Sequence, residues 1–163
     1  MTGPEPAAVD EQARSVHLER TYDASPEEVF DAWTNPEVLR RWWSAQPSWQ
    51  TPVADVDLRV GGGYRLSMED PESGARHTVV GEYREIRRPE LLVYSWRWEL
   101  DAGGTGHEST VTVRFLPEGR RTNVVLVHSG LEDAASAGRH ATGWTACMAN
   151  LAEQAIEGAG HAG

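Results

Sequence analysis

A long tract of two-residue alternation, from residue 53 to residue 130, is the feature of this chain that most restricts its fold. Apolar and polar side chains alternate through six segments, and the stretches between them, such as DPESG and DAGGTG, are rich in Gly, Pro and Asp. Such alternation is typical of strands with one buried face, and those residues favour hairpin turns. The tract therefore predicts antiparallel strands at 53–60, 63–68, 77–86, 91–100, 108–116 and 122–130.

A seventh strand is predicted ahead of this tract, at residues 15–22, where SVHLERTY also alternates. The alternation also predicts which face of the sheet is buried, because Tyr64 and Met68 point to the side opposite Arg65. A sheet with one apolar and one polar face is expected to be covered on one side only. The inward positions on three strands are Tyr64, Leu66 and Met68; Leu92, Tyr94, Trp96 and Trp98; and Val111, Val113 and Phe115.

Helices are predicted on either side of the six-strand tract. In SPEEVFDAWT, Ser25 is a favourable N-cap, Pro26 suits the first helical position, and Glu28 completes a capping box. NPEVLRRWW repeats the signal with Asn35 and Pro36, so two short helices follow the first strand. A long helix is predicted from about Ala137 to Ile156, with the apolar stripe His140, Trp144, Cys147, Met148, Leu151 and Ala155.

The order of elements predicts an α+β fold, with about seven antiparallel strands and the helices packed on one face. We expect a single domain at residues 15–157, since 163 residues suffice for one core and are few for two. Residues 1–14 and 158–163 lack hydrophobic periodicity, and we expect them to form flexible tails.

Charge and cysteine content argue against several classes of function. The chain has 15 basic and 25 acidic residues, a net charge of −10, and every basic residue is Arg. We expect no nucleic-acid partner, because neutralisation of phosphates supplies most of that affinity. No apolar run approaches the roughly 20 residues of a membrane span, so we expect no membrane insertion. The single Cys147 and the lack of an apolar leader-like segment predict a cytoplasmic location.

No metal, cofactor or catalytic residue is predicted. The six histidines show no ligand spacing, and the glycines of RVGGGYR lack both a Walker lysine and the GxGxxG pattern. Cys147 lies on the apolar stripe of the long helix and is interpreted as a small buried hydrophobic residue. His140 is interpreted in the same way, as a packing residue of that stripe.

The tryptophans raise the question of whether they fill a core or line a cavity. We predict that Trp33 and one of Trp42 and Trp43 fix the short helices, while the other, with Trp49, lies at an entrance. A concave sheet under one helix is difficult to fill, yet an empty hollow of about 300 Å³ would cost about 7 kcal/mol at about 24 cal/mol per Å³. Side chains, water or a ligand must occupy that space. The predicted ligand-binding residues are Trp43, Tyr64, Met68, Tyr83, Trp96, Trp98, His128, Trp144 and Met148, with His128 as a polar anchor.

Six segments carry a family resemblance, in this order: SPEEVFDAWTNPEVLRRWW, DLRVGGGYR, GEYREIRRPELLVYSWRW, ESTVTVRF, TNVVLVHSGL and HATGWTACMANL. From Ser15 to about Ile156, the chain resembles the family named after the activator of the heat-shock-protein-ninety ATPase, in the START-like, or SRPBCC, superfamily. The resemblance implies a helix-grip fold, in which the sheet wraps around the C-terminal helix. It also implies a cavity between the two, with its mouth near the short helices, and no universal catalytic residues.

Members of this superfamily differ in function, so the fold alone does not assign one. Our first interpretation is a protein that binds a hydrophobic small molecule, lipid-like or polyketide-like. A second is a cyclase- or aromatase-type enzyme in which His128 transfers a proton with a nearby carboxylate or tyrosine. A third is a protein-interaction module. A chaperone partner is not expected, because the family's eukaryotic activator has a further N-terminal domain for which this chain has no room. The sequence leaves a homodimer open.

Overall fold

A computed structural model of the chain describes residues 13–46 and 48–156. The predicted tails, 1–14 and 158–163, lie outside these ranges, apart from Ala13 and Arg14. The Arg14 carbonyl accepts a hydrogen bond from the Leu131 N–H (3.1 Å), which ties the start of the described chain to the segment before the last helix. Within the described ranges, no helix combines the length and the apolarity that crossing a bilayer would require.

The sheet contains the seven predicted strands, and all neighbours pair in antiparallel fashion. Its spatial order is β1-β7-β6-β5-β4-β3-β2, so the first strand closes against the last one and the remaining strands form a meander. The sheet curls into a half-barrel, which confirms the α+β helix-grip prediction. The strands are β1 (Val16–Tyr22), β2 (Gln50–Val56), β3 (Gly63–Glu69), β4 (Arg76–Arg87), β5 (Leu91–Trp98), β6 (Ser109–Glu118) and β7 (Arg121–Ser129).

The second strand differs from its prediction, since β2 covers Gln50–Val56 rather than 53–60. It begins earlier because the Thr51 hydroxyl donates to the Trp43 carbonyl (2.6 Å) and fixes the chain at that point. It ends earlier because 57–62 form a loop that folds back onto β4. There Gly61 has a φ of 86°, a value that glycine tolerates, and its N–H donates to the Tyr83 carbonyl (2.8 Å).

Two short helices follow β1, as the capping residues predicted: α1 (Pro26–Thr34) and α2 (Pro36–Trp42). The Ser25 hydroxyl accepts from the Glu28 N–H (3.2 Å), and the Glu28 carboxylate accepts from the Ser25 N–H (3.4 Å), which completes the capping box. The Asn35 side chain accepts from the Glu37 N–H (3.0 Å) and starts α2. These contacts confirm both predicted helix starts.

The long helix α3 (Ala134–Gln154) begins three residues before its predicted start. The reason is Asp133, whose carboxylate accepts from the Ser136 N–H (2.7 Å) and caps the helix. The stripe that α3 buries against the sheet includes Trp144, Cys147, Met148 and Leu151. The Tyr22 hydroxyl donates to the Met148 carbonyl (2.8 Å), so the end of β1 is bonded directly to the helix.

The predicted inward face is confirmed, but the outer face is less exposed than its polarity suggested. Tyr64, Leu66, Met68 and Trp96 are buried, whereas Arg65 on the other face is exposed. Ser67 and Ser95, which strand alternation places on the same face as Arg65, are also buried. They can be buried there because each hydroxyl forms a hydrogen bond to a neighbouring strand. The Ser67 hydroxyl bonds the Thr78 hydroxyl (2.7 Å), and the Ser95 hydroxyl accepts from the Glu82 N–H (2.9 Å).

Candidate functional site

A cavity of about 410 Å³ lies between α3 and the strands β3, β4 and β5. It reaches the surface, because two of the residues that line it, His77 and Arg139, are exposed. The segment after α2 forms a further wall. The lining residues are Trp43, Ala45, Trp49, Met68, His77, Trp96, Trp98, Arg139, His140, Gly143, Trp144 and Cys147.

The four tryptophans near the N-terminus divide between core and cavity. Trp33 and Trp42 are buried against one another, with ring centroids 4.9 Å apart. The Trp42 indole donates to the Ala32 carbonyl (2.9 Å), and the Trp33 indole donates to the Tyr94 hydroxyl (3.2 Å). Trp43 and Trp49, in contrast, line the cavity. The first pair therefore fixes α1 and α2 to the sheet, while the second pair borders the hollow.

The segment that carries Trp43 is held by α3. The Ser44 carbonyl accepts from the Asn150 amide (3.1 Å) and from the Cys147 thiol (3.0 Å), both on the helix. Burial raises the pKa of Cys147 to about 12, so its thiol stays protonated and donates this bond at neutral pH. These contacts place the Trp43 ring 6.2 Å from the ring of Trp96, across the cavity floor.

Trp49 and His77 form one part of the rim of the cavity. Their rings stack with centroids 5.7 Å apart and an interplanar angle of 11°. Trp49 is half-buried and His77 is exposed, so one face of this stacked pair borders the hollow while the rest is open to water. The pair places a flat aromatic surface at the entrance.

A further wall consists of Trp96, Trp98 and Trp144, with Trp96 in the middle. Its centroid lies 5.4 Å from Trp98 and 5.3 Å from Trp144. The Trp98 indole donates to His140 Nε2 (2.9 Å), and His140 Nδ1 lies 2.7 Å from the Ser136 carbonyl. Because the carbonyl can only accept, Nδ1 carries the proton and Nε2 is the acceptor. The pKa of His140 is lowered, chiefly by burial, so the imidazole is neutral and carries its proton on Nδ1.

His128 lies behind this wall and does not line the cavity. Its Nδ1 accepts from the Trp144 indole (3.0 Å), and its Nε2 lies 2.7 Å from the Ser109 hydroxyl. Burial lowers the pKa of His128 to about 3, with His140 as a smaller cause. A histidine that is neutral, fully buried and bonded at both nitrogens orients the Trp144 ring. It is poorly suited to exchange a proton with a molecule in the cavity at neutral pH.

One polar atom in the wall has no partner. The Trp96 indole N–H is buried and, within the described part of the chain, makes no hydrogen bond. The rings of Trp98, Trp144 and His128 pack against the Trp96 ring, with centroids 5.1–5.4 Å away. A buried donor left unbonded costs about 1–3 kcal/mol. Such a group is uncommon in a folded protein and is most often explained by function or by an unseen partner.

The structure brings together five of the nine predicted ligand-binding residues in the cavity wall: Trp43, Met68, Trp96, Trp98 and Trp144. Tyr64 and Tyr83 instead pack with Tyr94 in the buried core, with ring centroids 5.3–5.9 Å apart, and do not line the cavity. Met148 packs in the core, and its carbonyl receives the Tyr22 hydroxyl. Strand alternation therefore identified the buried face of the sheet correctly. It did not distinguish residues that line the cavity from residues that pack in the core.

Sequence reasoning missed Ala45, His77, Arg139 and Gly143 as lining residues, and assigned His140 and Cys147 to packing alone. A usable signal existed on α3, because Arg139, Gly143 and Cys147 are spaced four residues apart and so share a face. His77 carried no such signal. It lies on β4 next to Met68 of β3, and only the register of these strands places it at the rim.

Comparisons with known proteins agree with this architecture. Residues 23–155 match the sequence profile of the activator of Hsp90 ATPase homolog 1-like protein family, AHSA1. No curated protein matches the chain. A solved structure from Chromobacterium violaceum is 25% identical and superposes with a TM-score of 0.76, over 85% of this chain and 94% of that one.

Two further solved structures carry the family description. An AHSA1 protein from Silicibacter pomeroyi is 28% identical, with a TM-score of 0.76 over 84% of this chain and 94% of that one. An AHSA1-like protein from Aeromonas hydrophila is 26% identical, with a TM-score of 0.68 over 84% and 88%. Since the profile covers most of the sequence and the fold agrees, the chain belongs to the activator of Hsp90 ATPase homolog 1-like family.

Proposed function

We propose that this protein binds a small hydrophobic molecule in the cavity between α3 and the sheet. The observation that carries the proposal is the size and composition of the cavity: about 410 Å³, with walls formed largely by indole rings. Ligand pockets typically have volumes of about 300–1,000 Å³ and apolar, aromatic linings with a few polar groups. The volume lies near the lower end of that range, which favours a compact ligand.

The wall is held in place by its own hydrogen bonds. His140 and Trp98 already satisfy each other and hold their rings in fixed positions. A preformed wall of this kind reduces the ordering cost of binding.

The geometry supports binding better than proton transfer by a cyclase-type enzyme. His128, the predicted base, bonds Ser109 and Trp144 and lies behind the wall. None of the lining residues in the described chain is a carboxylate that could act with it.

The buried, unpaired Cys147 agrees with the cytoplasmic location proposed from the sequence.

Native mass spectrometry of the purified protein, together with a thermal-shift screen of hydrophobic metabolites, tests the proposal. We expect either a co-purified small molecule or a rise in the melting temperature with planar aromatic or short lipid-like compounds. The bare protein mass combined with no shift for any compound class would contradict it.

Two glycines of α3 offer a matched pair of variants for this screen. A Cβ built on Gly143 or on Gly138 meets no atom within 4 Å, so each site accepts a larger side chain. Gly143 lines the cavity, whereas Gly138 is exposed on the same helix and does not. We expect Gly143→Leu to abolish the thermal shift by filling the cavity, and Gly138→Leu to retain it. Loss of the shift in both variants would mean that the effect is not specific to the cavity.

A further inference from the structure

We propose that the ligand of this cavity is an apolar or aromatic monocarboxylate whose carboxylate is bound by Arg139 at the mouth. This inference rests on the proposed binding function and adds the chemical class of the ligand. It is drawn from the charges that line the cavity and from the state of the Arg139 side chain.

Among the described residues that line the cavity, Arg139 alone is charged at every physiological pH. The other titratable lining residues are His77, His140 and Cys147, and no described Asp or Glu lines this cavity. The chain as a whole carries 25 acidic residues and a net charge of −10. The charge of the described cavity lining is therefore positive, whereas the net charge of the chain is negative. A positively charged edge suits an anionic group of a ligand.

In the described part of the chain, the guanidinium of Arg139 has neither an ion-pair nor a hydrogen-bond partner. Most arginines of the sheet, in contrast, form ion pairs, as Arg65 does with Glu99 (3.0 Å) and Arg97 with Glu108 (2.6 Å). Among the described residues, no carboxylate lies within ion-pair distance of Arg139 and no hydrogen bond of its guanidinium is found. Glu132 borders an adjoining hollow of about 240 Å³ that Arg139 also lines, but the two do not pair.

Arg139 of α3 is an exposed residue of the cavity lining, so its charge borders the opening of the cavity. It lies one turn before Gly143, and because Gly143 has no side chain, the helix surface between them is open. A planar guanidinium binds a carboxylate through two parallel hydrogen bonds, which a neutral amide cannot accept in the same way. An apolar body packed among the indoles and a carboxylate at Arg139 would satisfy both parts of the site.

Two isosteric pairs of probes test this inference: naphthalene-2-carboxylic acid with naphthalene-2-carboxamide, and decanoic acid with decanamide. Calorimetric titrations at about pH 7.5 keep both acids ionised, since carboxyl groups have pKa values near 4. We expect at least one acid to bind the parent protein roughly three- to tenfold more tightly than its amide, as a partly exposed charged hydrogen bond provides.

Arg139→Gln and Arg120→Gln form the matched variants, since both remove one exposed arginine and Arg120 lies in the β6–β7 turn away from the cavity. We expect Arg139→Gln to bring the acid to within about twofold of its amide while leaving the amide affinity unchanged, and Arg120→Gln to keep the preference. If the amide binds as well as the acid, or if Arg139→Gln keeps the preference, the carboxylate inference is wrong and the binding function stands. If none of the four probes binds, the carboxylate inference is wrong, and the metabolite screen with native mass spectrometry decides the binding function.

Discussion

At the scale of single residues, two tryptophans of the cavity wall differ in the hydrogen bonding of their indole N–H groups. Both Trp96 and Trp144 are buried and line the cavity. The Trp144 N–H donates to His128, whereas the Trp96 N–H has no partner among the residues that the structure describes. The first N–H therefore contributes to folding, whereas the second is a buried donor that stays unsatisfied.

Replacing each of these tryptophans by phenylalanine tests how much the bonded N–H of Trp144 contributes to stability. Both changes remove similar ring volume, but Trp144→Phe also leaves His128 Nδ1 buried without a donor. We expect Trp144→Phe to lower the free energy of unfolding by about 1–3 kcal/mol more than Trp96→Phe does. Urea denaturation of the two variants measures the difference. Equal losses, or a larger loss for Trp96→Phe, would show that the His128 contact does not stabilise the fold.

His128 also makes stability depend on pH. Its pKa is about 3 in the folded protein because it is buried, against about 6.5 in an unfolded chain. Below pH 6.5 the unfolded chain therefore binds a proton that the folded chain does not bind until about pH 3. The stability associated with neutral His128 is complete above pH 6.5 and is lost as the pH falls from 6.5 towards 3.

Urea denaturation at several pH values between about 6.5 and 5 tests this dependence, because most carboxylates titrate below that window. His140, whose pKa is also lowered by burial, contributes in the same direction. We expect His128→Gln to reduce the slope of unfolding free energy against pH by roughly one proton, or about 1.4 kcal/mol per pH unit at most. An unchanged slope in the variant would mean that His128 is already protonated in the folded protein.

At the scale of the elements, the sheet depends on a close contact between β3, β4 and β5. The Tyr64 ring passes over Gly81, and its hydroxyl donates to the Ser95 carbonyl (2.6 Å). Here β4 and β5 have no direct pairing, and the Ser95 hydroxyl instead receives the Glu82 N–H. Tyr64 and Ser95 thus replace backbone bonds where the sheet curls. This role explains why Tyr64, although it points inward, does not reach the cavity.

An alanine at position 81 tests this arrangement, with position 63 as the control. A Cβ on Gly81 would collide with the Ser95 carbonyl and the Tyr64 ring, whereas a Cβ on Gly63 makes only an ordinary contact of 3.5 Å. We expect Gly81→Ala to destabilise the protein by about 1–3 kcal/mol and Gly63→Ala to change stability by less than about 0.5 kcal/mol. Thermal or urea unfolding of both variants is the measurement. A harmless Gly81→Ala would mean that β3 and β5 need not approach so closely.

The elements show where local sequence was sufficient and where it was not. Helix starts at Ser25 and Asn35 were predictable because a cap acts on the next three residues. The limits of β2 were not, since Thr51 bonds Trp43 and Gly61 bonds Tyr83, both across longer separations. Alternation alone could not show that the chain leaves the sheet at Asp57.

At the scale of the whole molecule, the aromatic face was predictable but the outline of the cavity was not. Trp96 and Tyr94 lie on one strand with the same parity, yet Trp96 borders the hollow and Tyr94 packs against Tyr64 and Tyr83. The difference depends on the curl of the sheet and on where α3 crosses it. Arg139 was missed for the same reason, because its role follows from the position of the helix above the cavity.

Calorimetric titration of naphthalene-2-carboxylate into the parent protein, Gly143→Leu and Gly138→Leu is the most direct test of the cavity as a binding site. We predict that the parent and Gly138→Leu bind the probe with similar affinity, and that Gly143→Leu binds it at least about tenfold more weakly, because a leucine fills the space that the probe needs. Equal binding to all three proteins, or no binding to the parent, would contradict the account.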